Sequence, residues 1–155
     1  MTVITDIGAD GREDRHMIAH AVWRNDMTNQ TSGRVLVVDN NDDVLTQLGR
    51  ELTEAGYETV TTWSGIEAMN LLESETFDSL LVDDYLPDLY IGEFLEKISD
   101  LPICPRVLLM QAKPIHSLCT VGSRRFVVVD KVKVSKIIQA LSDQNCGPNC
   151  RHWTH

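Results

Sequence analysis

Two aspartates stand where the surrounding residues favour an apolar side chain. Asp39 directly follows Val35-Leu36-Val37-Val38, and Asp83 directly follows Leu80-Leu81-Val82. Runs of this kind are typical of strands that are buried on both faces. A carboxylate at the end of such a strand must be solvated, hydrogen-bonded or bound to a cation. Two carboxylates that converge on one pocket suit a hard divalent ion such as Mg²⁺, and one of them could then attack a phosphoryl group.

The elements that must position these acids alternate regularly from residue 34 onward. Five apolar runs predict strands at 35–38, 57–62, 79–83, 106–110 and 126–129, and amphipathic stretches between and after them predict helices. This alternation predicts an α/β fold, a doubly wound, flavodoxin-like parallel sheet of five strands in the order 2-1-3-4-5 with helices on both faces. The carboxyl ends of the strands, where Asp39 and Asp83 lie, are the place for a ligand site in such a sheet.

Other acids have a simpler structural interpretation. Asp42 and Asp43 lie at the predicted start of the first helix, and Asp88 lies in the loop after Pro87. Carboxylates at the positive end of a helix stabilise it without taking part in chemistry. We therefore assign these three to helix ends and keep Asp39 and Asp83 as the functional pair.

Composition restricts the remaining function classes. The chain has 155 residues and a formal net charge of −9, and an acidic surface repels phosphate backbones, which argues against binding of nucleic acid. No stretch approaches the roughly 20 apolar residues of a membrane helix, so we expect a cytoplasmic protein without a membrane contact. Cys104 and Cys119 are then expected to be reduced thiols.

Three segments are predicted. Residues 1–32 are polar and predict an arm that is disordered or partly helical, with a short helix conceivable from Glu13 to Trp23 and Met27 as an alternative start. Residues 33–143 form the predicted domain, and residues 144–155 form a tail. The tail contains Cys-x3-Cys-x-His-x2-His, which could bind Zn²⁺, but its spacing is cramped and a disordered tail is favoured.

Several segments resemble response-regulator receiver domains. The stretch 35–40 (Val-Leu-Val-Val-Asp-Asn) resembles their first strand and acidic turn, and 56–60 with 65–69 resemble their second strand and second helix. The stretch 80–87 (Leu-Leu-Val-Asp-Asp-Tyr-Leu-Pro) is similar to their phosphoacceptor segment, in which the aspartate stands four residues before a proline. The resemblance extends from about Arg34 to Ser142.

The resemblance implies roles for individual residues. Asp83 would be the phosphoacceptor, and Asp39, Asn40, Asp83 and the backbone carbonyl of Tyr85 would bind Mg²⁺. Asn40 stands where the family usually has a second acid, so the metal affinity should be lower because an amide brings no charge.

Three further positions depart from the family pattern. Gln111 stands where a Ser or Thr switch residue is usual. The family lysine would fall at Val129, counted from the aromatic Phe126, and Lys131 lies two residues later, so that only a slipped strand or bulge would bring it in. The stretch between Gln111 and Phe126 is short and contains Pro114 and Gly122, which predicts a fourth helix of only one or two turns.

The resemblance also implies a function, with alternatives that the residues leave open. The first is a phosphoacceptor in a two-component phosphorelay, not an enzyme, which takes its phosphoryl group from a sensor histidine kinase or a phosphotransfer protein and signals by protein contacts. Its output partner would bind the face of helix 4, strand 5 and helix 5, where five basic residues gather: Arg124, Arg125, Lys131, Lys133 and Lys136. The second is a pseudo-receiver that binds partners without phosphorylation. A nucleotide binder is disfavoured because the turn after Asp39 lacks phosphate-binding glycines.

Overall fold

The protein is described by a computed structural model that covers residues 2–5, 20–24, 32–114, 116, 118–121 and 124–143. The strands are β1 (Thr2–Thr5), β2 (His20–Arg24), β3 (Arg34–Val38), β4 (Glu58–Thr62), β5 (Ser79–Asp83), β6 (Arg106–Gln111), β7 (Leu118–Val121) and β8 (Arg124–Asp130). The helices are α1 (Asp42–Glu54), α2 (Gly65–Ser74), α3 (Ile91–Ser99) and α4 (Val134–Ser142).

The centre of the molecule is a parallel sheet in the order β4-β3-β5-β6-β8. These strands are the five that the apolar runs predict, in the predicted order, so the α/β fold class is confirmed. The described sheet is nevertheless wider than predicted. It has eight strands, because β1 and β2 extend it beyond β4 and β7 extends it beyond β8.

Each face of the sheet has its own apolar core. On one face, alternate strand residues such as Leu36 and Leu80 pack with α2 and α3, whose largest buried side chain is Phe94. On the other face, Val35 and Leu108 are among the strand residues that pack with α1 and α4. Alternation along each buried strand sends successive side chains to opposite cores, so the backbone of every central strand is fixed from both sides.

The N-terminal segment does not form the predicted helix where it is described. His20–Arg24 is a strand that pairs antiparallel with β4, and Thr2–Thr5 pairs antiparallel with β2. Trp23 of β2 packs against Gly49 of α1, and its indole N–H donates to the hydroxyl of Thr61 at 3.3 Å. The prediction of a helix reaching Trp23 is therefore wrong, and Thr2–Thr5 and His20–Arg24 belong to the sheet.

The predicted short fourth helix is also absent from the described residues between β6 and β8. In its place, β7 runs antiparallel to β8, with Leu118 opposite Val127 and Cys119 opposite Phe126. Leu-Cys-Thr-Val is rich in β-formers, and the neighbouring strand offers unpaired backbone groups. A strand here satisfies more hydrogen bonds than a one-turn helix could.

Two smaller points concern the rest of the chain. Cys104 is disulfide-bonded, so the expected reduced state is wrong for this residue, whereas Cys119 is a free thiol. No helix in the described part of the chain is long and apolar enough to span a membrane. The predicted Cys/His tail, residues 144–155, lies outside the described residues.

Candidate functional site

Asp39 lies at the carboxyl end of β3 and is fully buried. Its backbone N–H donates to the carbonyl of Thr62 at 3.2 Å, which continues the ladder between β3 and β4 by one step. Its carboxylate oxygen Oδ1 accepts from the N–H of Asn41 at 2.9 Å. Asn41 in turn caps α1, so the helix start and the acid are positioned by the same turn.

Asp83 is the last residue of β5 and is 5 % exposed. It lies opposite Met110 of β6, and the N–H of Asp84 donates to the Met110 carbonyl at 3.2 Å. The backbone at Asp83 is thus held in the middle of the sheet, because β5 pairs with β3 on one side and with β6 on the other. Only its side chain is left to do chemistry.

Lys131 brings the two acids into one site. Its ammonium nitrogen Nζ lies 3.1 Å from Oδ2 of Asp39 and 3.2 Å from Oδ1 of Asp83. The lysine side chain is largely covered, at 18 % exposure. Charge-assisted hydrogen bonds of this kind are the strong ones, and they compensate the cost of burying the two carboxylates.

The surroundings shift the pKa values of the acid and the base in characteristic directions. Burial, together with the nearby charge of Asp39, raises the pKa of Asp83 to about 6, although the hydrogen bond and charge of Lys131 act in the opposite direction. Burial alone would lower the pKa of Lys131, but Asp39 and Asp83 outweigh it and raise that pKa above its ordinary value. Lys131 therefore stays positively charged, and Asp83 titrates unusually close to neutral pH.

The position of Lys131 follows from the end of β8. The strand ends at Asp130, and the N–H of Lys131 donates to the carbonyl of Gln111 at 3.0 Å. The ladder between β6 and β8 thus continues one residue past the strand. From there the lysine side chain extends over the end of β6 toward β5 and β3, because β6 lies between β8 and β5 in the sheet.

Comparison with curated proteins gives two kinds of relative. Over 81 residues the chain is 35% identical to the transcriptional regulatory protein PrrA of Mycobacterium tuberculosis, a match that covers 50% of this chain and 35% of that protein. Over 80 residues it is 30% identical to the alkaline phosphatase synthesis transcriptional regulatory protein PhoP of Bacillus subtilis, covering 52% of this chain and 33% of that one. The match spans about one third of the length of these relatives. No protein-family model matches the chain.

Comparison with solved structures agrees. A response regulator receiver domain from Methylobacillus flagellatus superposes with a TM-score of 0.59 at 16% identity, covering 74% of this chain and all of that one. The N-terminal domain of a response regulator receiver protein from Methanoculleus marisnigri superposes with a TM-score of 0.52 at 28% identity, covering 56% of this chain and 72% of that one. The described core is a response-regulator receiver domain.

The other residues that the resemblance assigns to the site are Asn40, Tyr85 and Gln111, and they differ in burial and in their contacts. Asn40 follows Asp39 directly and is exposed, and Tyr85, in the loop after β5, is 65% exposed. Gln111 is half-buried at the end of β6, and its backbone carbonyl holds Lys131. The structure therefore brings together Asp39, Asp83 and Lys131, with Asn40, Tyr85 and Gln111 at the margin.

Asp88 fixes the loop that follows β5. Its carboxylate accepts from the hydroxyl of Ser64 at 2.7 Å and from the N–H groups of Gly65 at 3.0 Å and Ile66 at 3.1 Å. Burial opposes the effect, but these hydrogen bonds lower the pKa of Asp88. Asp88 thus binds the N-terminus of α2, in keeping with its predicted structural role.

Proposed function

We propose that this receiver domain is a phosphoacceptor of a two-component phosphorelay and that Asp83 takes the phosphoryl group. The observation that carries the proposal is the joining of a buried Asp83, a buried Asp39 and Lys131 through hydrogen bonds of 3.1 and 3.2 Å. A structural role alone does not require two buried acids at one point, since buried charges are costly and are more often replaced by apolar residues. The relatives that this chain resembles are response regulators, which fits such a role.

The chemistry assigned to Asp83 is nucleophilic. With a pKa of about 6, the side chain is mostly ionised above neutral pH, so a carboxylate oxygen is available as the nucleophile. This oxygen forms a bond to phosphorus while the phosphorus–nitrogen bond of a phosphohistidine on a kinase or phosphotransfer protein breaks. The imidazole keeps the bonding electron pair and takes up a proton, and the product is an aspartyl phosphate.

Lys131 is assigned the role of a fixed positive charge. Its ammonium already touches Asp83, so it can pair with an oxygen of the incoming phosphoryl group without a large movement. A cation held at the place where negative charge accumulates stabilises both the transition state and the product. Gln111 stands at the switch position. We assign it no direct contact with the phosphoryl group; it acts there only through Lys131, whose N–H donates to its carbonyl.

The residues present are compatible with Mg²⁺, although the charge they supply is small. Asp39 and Asp83 provide hard carboxylate oxygens, and Asn40 and the carbonyl of Tyr85 would complete the set that holds the ion. Within the described residues, no group of three or more His, Cys, Asp or Glu side chains is placed to hold a metal. Bound Mg²⁺ would neutralise phosphoryl oxygens during transfer. With two carboxylates instead of three, we expect its affinity to be low.

The output partner is proposed to bind the face formed by β7, β8 and α4. Arg125 and Lys136 are exposed there, and Lys133 is 66% exposed, whereas the whole chain is acidic. Lys131, which the sequence grouped with these bases, points instead into the acceptor site. A basic face on an acidic protein steers an acidic partner surface toward it, and the attraction weakens as salt rises.

A pseudo-receiver is the second candidate. It is favoured by Gln111 at the switch position and by β7 in place of a fourth helix, because both features remove parts through which phosphorylation usually acts in the family. In this alternative the β7–β8–α4 face binds its partner permanently, and Asp83 is never modified.

Intact mass spectrometry distinguishes the two candidates. The purified chain is incubated with a small phosphodonor such as acetyl phosphate, with and without Mg²⁺. We expect a gain of one phosphoryl group in the wild type, none in Asp83→Asn, and an undiminished gain in the matched control Asp84→Asn, whose side chain is exposed. A wild type that gains no mass under any condition would favour the pseudo-receiver. Uptake by Asp83→Asn would show that another group is the acceptor.

A further inference from the structure

A turn at the end of β8 explains how a lysine two places late can reach the acceptor. In Asp130–Lys133 the N–H of Lys133 donates to the carbonyl of Asp130 at 3.0 Å, which closes a β-turn. The carboxylate oxygen Oδ1 of Asp130 also accepts from the N–H of Val132 at 2.9 Å. Side-chain bonds of this kind, two residues ahead, fix an aspartate-initiated turn.

Lys131 is the second residue of this turn and is held from both sides. Its own N–H donates to the carbonyl of Gln111 at 3.0 Å, and the turn closed by Asp130 fixes the residues after it. Lys131 itself lies between two regular elements, since β8 ends at Asp130 and α4 begins only at Val134. The side chain then projects to Asp39 and Asp83.

We propose that Asp130 is a positioning residue for phosphoryl transfer, which acts through Lys131 by fixing the turn that follows β8. The inference rests on the proposed function of Asp83. It deepens that function by assigning a residue outside the acceptor pocket to it. The Lys133 ammonium lies 3.8 Å from Asp130 and is well exposed, so this ion pair contributes little and does not explain the arrangement.

The test compares rates of phosphorylation by acetyl phosphate in the wild type and three variants. Asp130→Ala removes the acceptor of the Val132 N–H, and we expect the rate to fall about fivefold, the effect of one lost hydrogen bond. Asp130→Asn keeps an oxygen at the same place and forms the same turn, so it should restore the wild-type rate. Glu73→Ala is the matched control, because it also removes one acidic side chain, lies exposed in α2 and should leave the rate unchanged.

A double substitution separates positioning from a general loss of structure. If Asp130 acts through Lys131, then Asp130→Ala added to Lys131→Ala should slow the reaction no further than Lys131→Ala alone. An equal fall in both backgrounds, an unchanged rate in Asp130→Ala, or a failure of Asp130→Asn to restore the rate would each overturn the proposal. Thermal unfolding of each variant identifies any that fails to fold. If Asp130→Ala is one of these, Asp130→Asn is compared with the wild type instead.

A readout independent of phosphorylation separates this inference from the proposed function. An NMR spectrum selective for lysine ammonium groups detects those protected by ion pairs, and the Lys131 resonance is assigned by its loss in Lys131→Ala. We expect this resonance to persist in the wild type and in Asp130→Asn and to weaken in Asp130→Ala. A wild type that takes up no phosphoryl group but shows this pattern would refute the phosphoacceptor function and leave the positioning intact. An unaltered resonance in Asp130→Ala would refute the positioning.

Discussion

At the acceptor site a single ammonium group balances two buried carboxylates. Lys131 bonds both Asp39 and Asp83, yet one positive charge cannot neutralise two negative ones. The remaining repulsion and the burial appear as a pKa of about 6 for Asp83. The pocket thus holds an excess of negative charge that a divalent ion or a proton relieves.

Replacing Asp83 by Asn is expected to stabilise the fold above pH 6. Because the folded-state pKa of about 6 lies above the 3.8 of an exposed aspartate, the folded chain binds this proton more tightly than the unfolded chain does. The resulting stabilisation is complete below pH 3.8 and is lost as the pH rises through 6. Asn carries no charge, so its advantage should grow over this interval to about 1–2 kcal/mol.

Urea unfolding between pH 4.5 and 8 measures this difference. Asp84→Asn serves as the control, since Asp84 is exposed and its charge is the smallest of the causes that shift the pKa of Asp83, so its replacement should give only a small pH-dependent change. A wild type that is more stable than Asp83→Asn at pH 8 would show that the bond to Lys131 outweighs burial and the charge of Asp39.

The sequence predicted most of the residues that the structure brings together at the candidate site, and the errors of that prediction have local causes. Asp39 and Asp83 were identifiable because a charged residue after an apolar run must be compensated. Lys131 was harder to place, since an offset counted along a strand assumes that the strand continues. In the structure β8 ends at Asp130, and the turn that follows places Lys131 where its side chain contacts both acids. Such a turn depends on hydrogen bonds between side chain and backbone that a residue count does not contain.

At the scale of elements, both edges of the parallel sheet are covered by antiparallel strands. On one side β2 pairs with β4, and on the other β7 pairs with β8. The exposed edge of a sheet offers unpaired backbone groups, and covering strands protect these groups from pairing with other chains. The Trp23 ring on Gly49 fixes the first of these edges to α1, because glycine leaves room for the ring to lie directly on the helix backbone.

Gly49→Ala is expected to destabilise the chain by about 1–3 kcal/mol, because a methyl group at this position would overlap atoms of the Trp23 ring. Alanine otherwise favours a helix by about 1 kcal/mol over glycine. In a Trp23→Ala background the same substitution should therefore be neutral or stabilising. Urea unfolding of the four proteins in this cycle measures the reversal of sign. An equal effect in both backgrounds would mean that Trp23 does not rest on Gly49 in solution.

The covering strands were missed by sequence reasoning for a physical reason. Thr2–Thr5 and Leu118–Val121 have only four residues each, and strands of that length are stabilised by a partner rather than by their own pattern. Residues 17–21 also fit a helical face, which hid the strand at His20–Arg24. The five central strands were predictable because burial on both faces leaves a continuous apolar signature that does not depend on a neighbour.

At the scale of the whole molecule, few of the described contacts connect the proposed acceptor site with the proposed output face. Gln111 connects to the acceptor through its bond to the Lys131 backbone, and the side of β8 away from the site pairs with β7 instead of facing a helix. A phosphoryl group shifts a distant surface only if that surface has two arrangements of different affinity for it. A strand hydrogen-bonded along β8 offers less freedom for this than a loosely packed short helix would.

Hydrogen–deuterium exchange with and without beryllium fluoride and Mg²⁺, which together mimic a phosphoryl group, tests this isolation. We expect added protection in the loops after β3 and β5 and at Lys131, where the mimic binds. Peptides covering Leu118–Val121 and Val134–Ser142 should change little, since the β7–β8 pairing already holds their backbone. Asp83→Asn is the control, and it should remove the response at the acceptor. A change at β7 or α4 as large as that at the acceptor loops would show that the switch reaches the output face despite Gln111. Binding of the partner should then depend on phosphorylation, with a coupling of at least about tenfold in affinity, or roughly 1.4 kcal/mol.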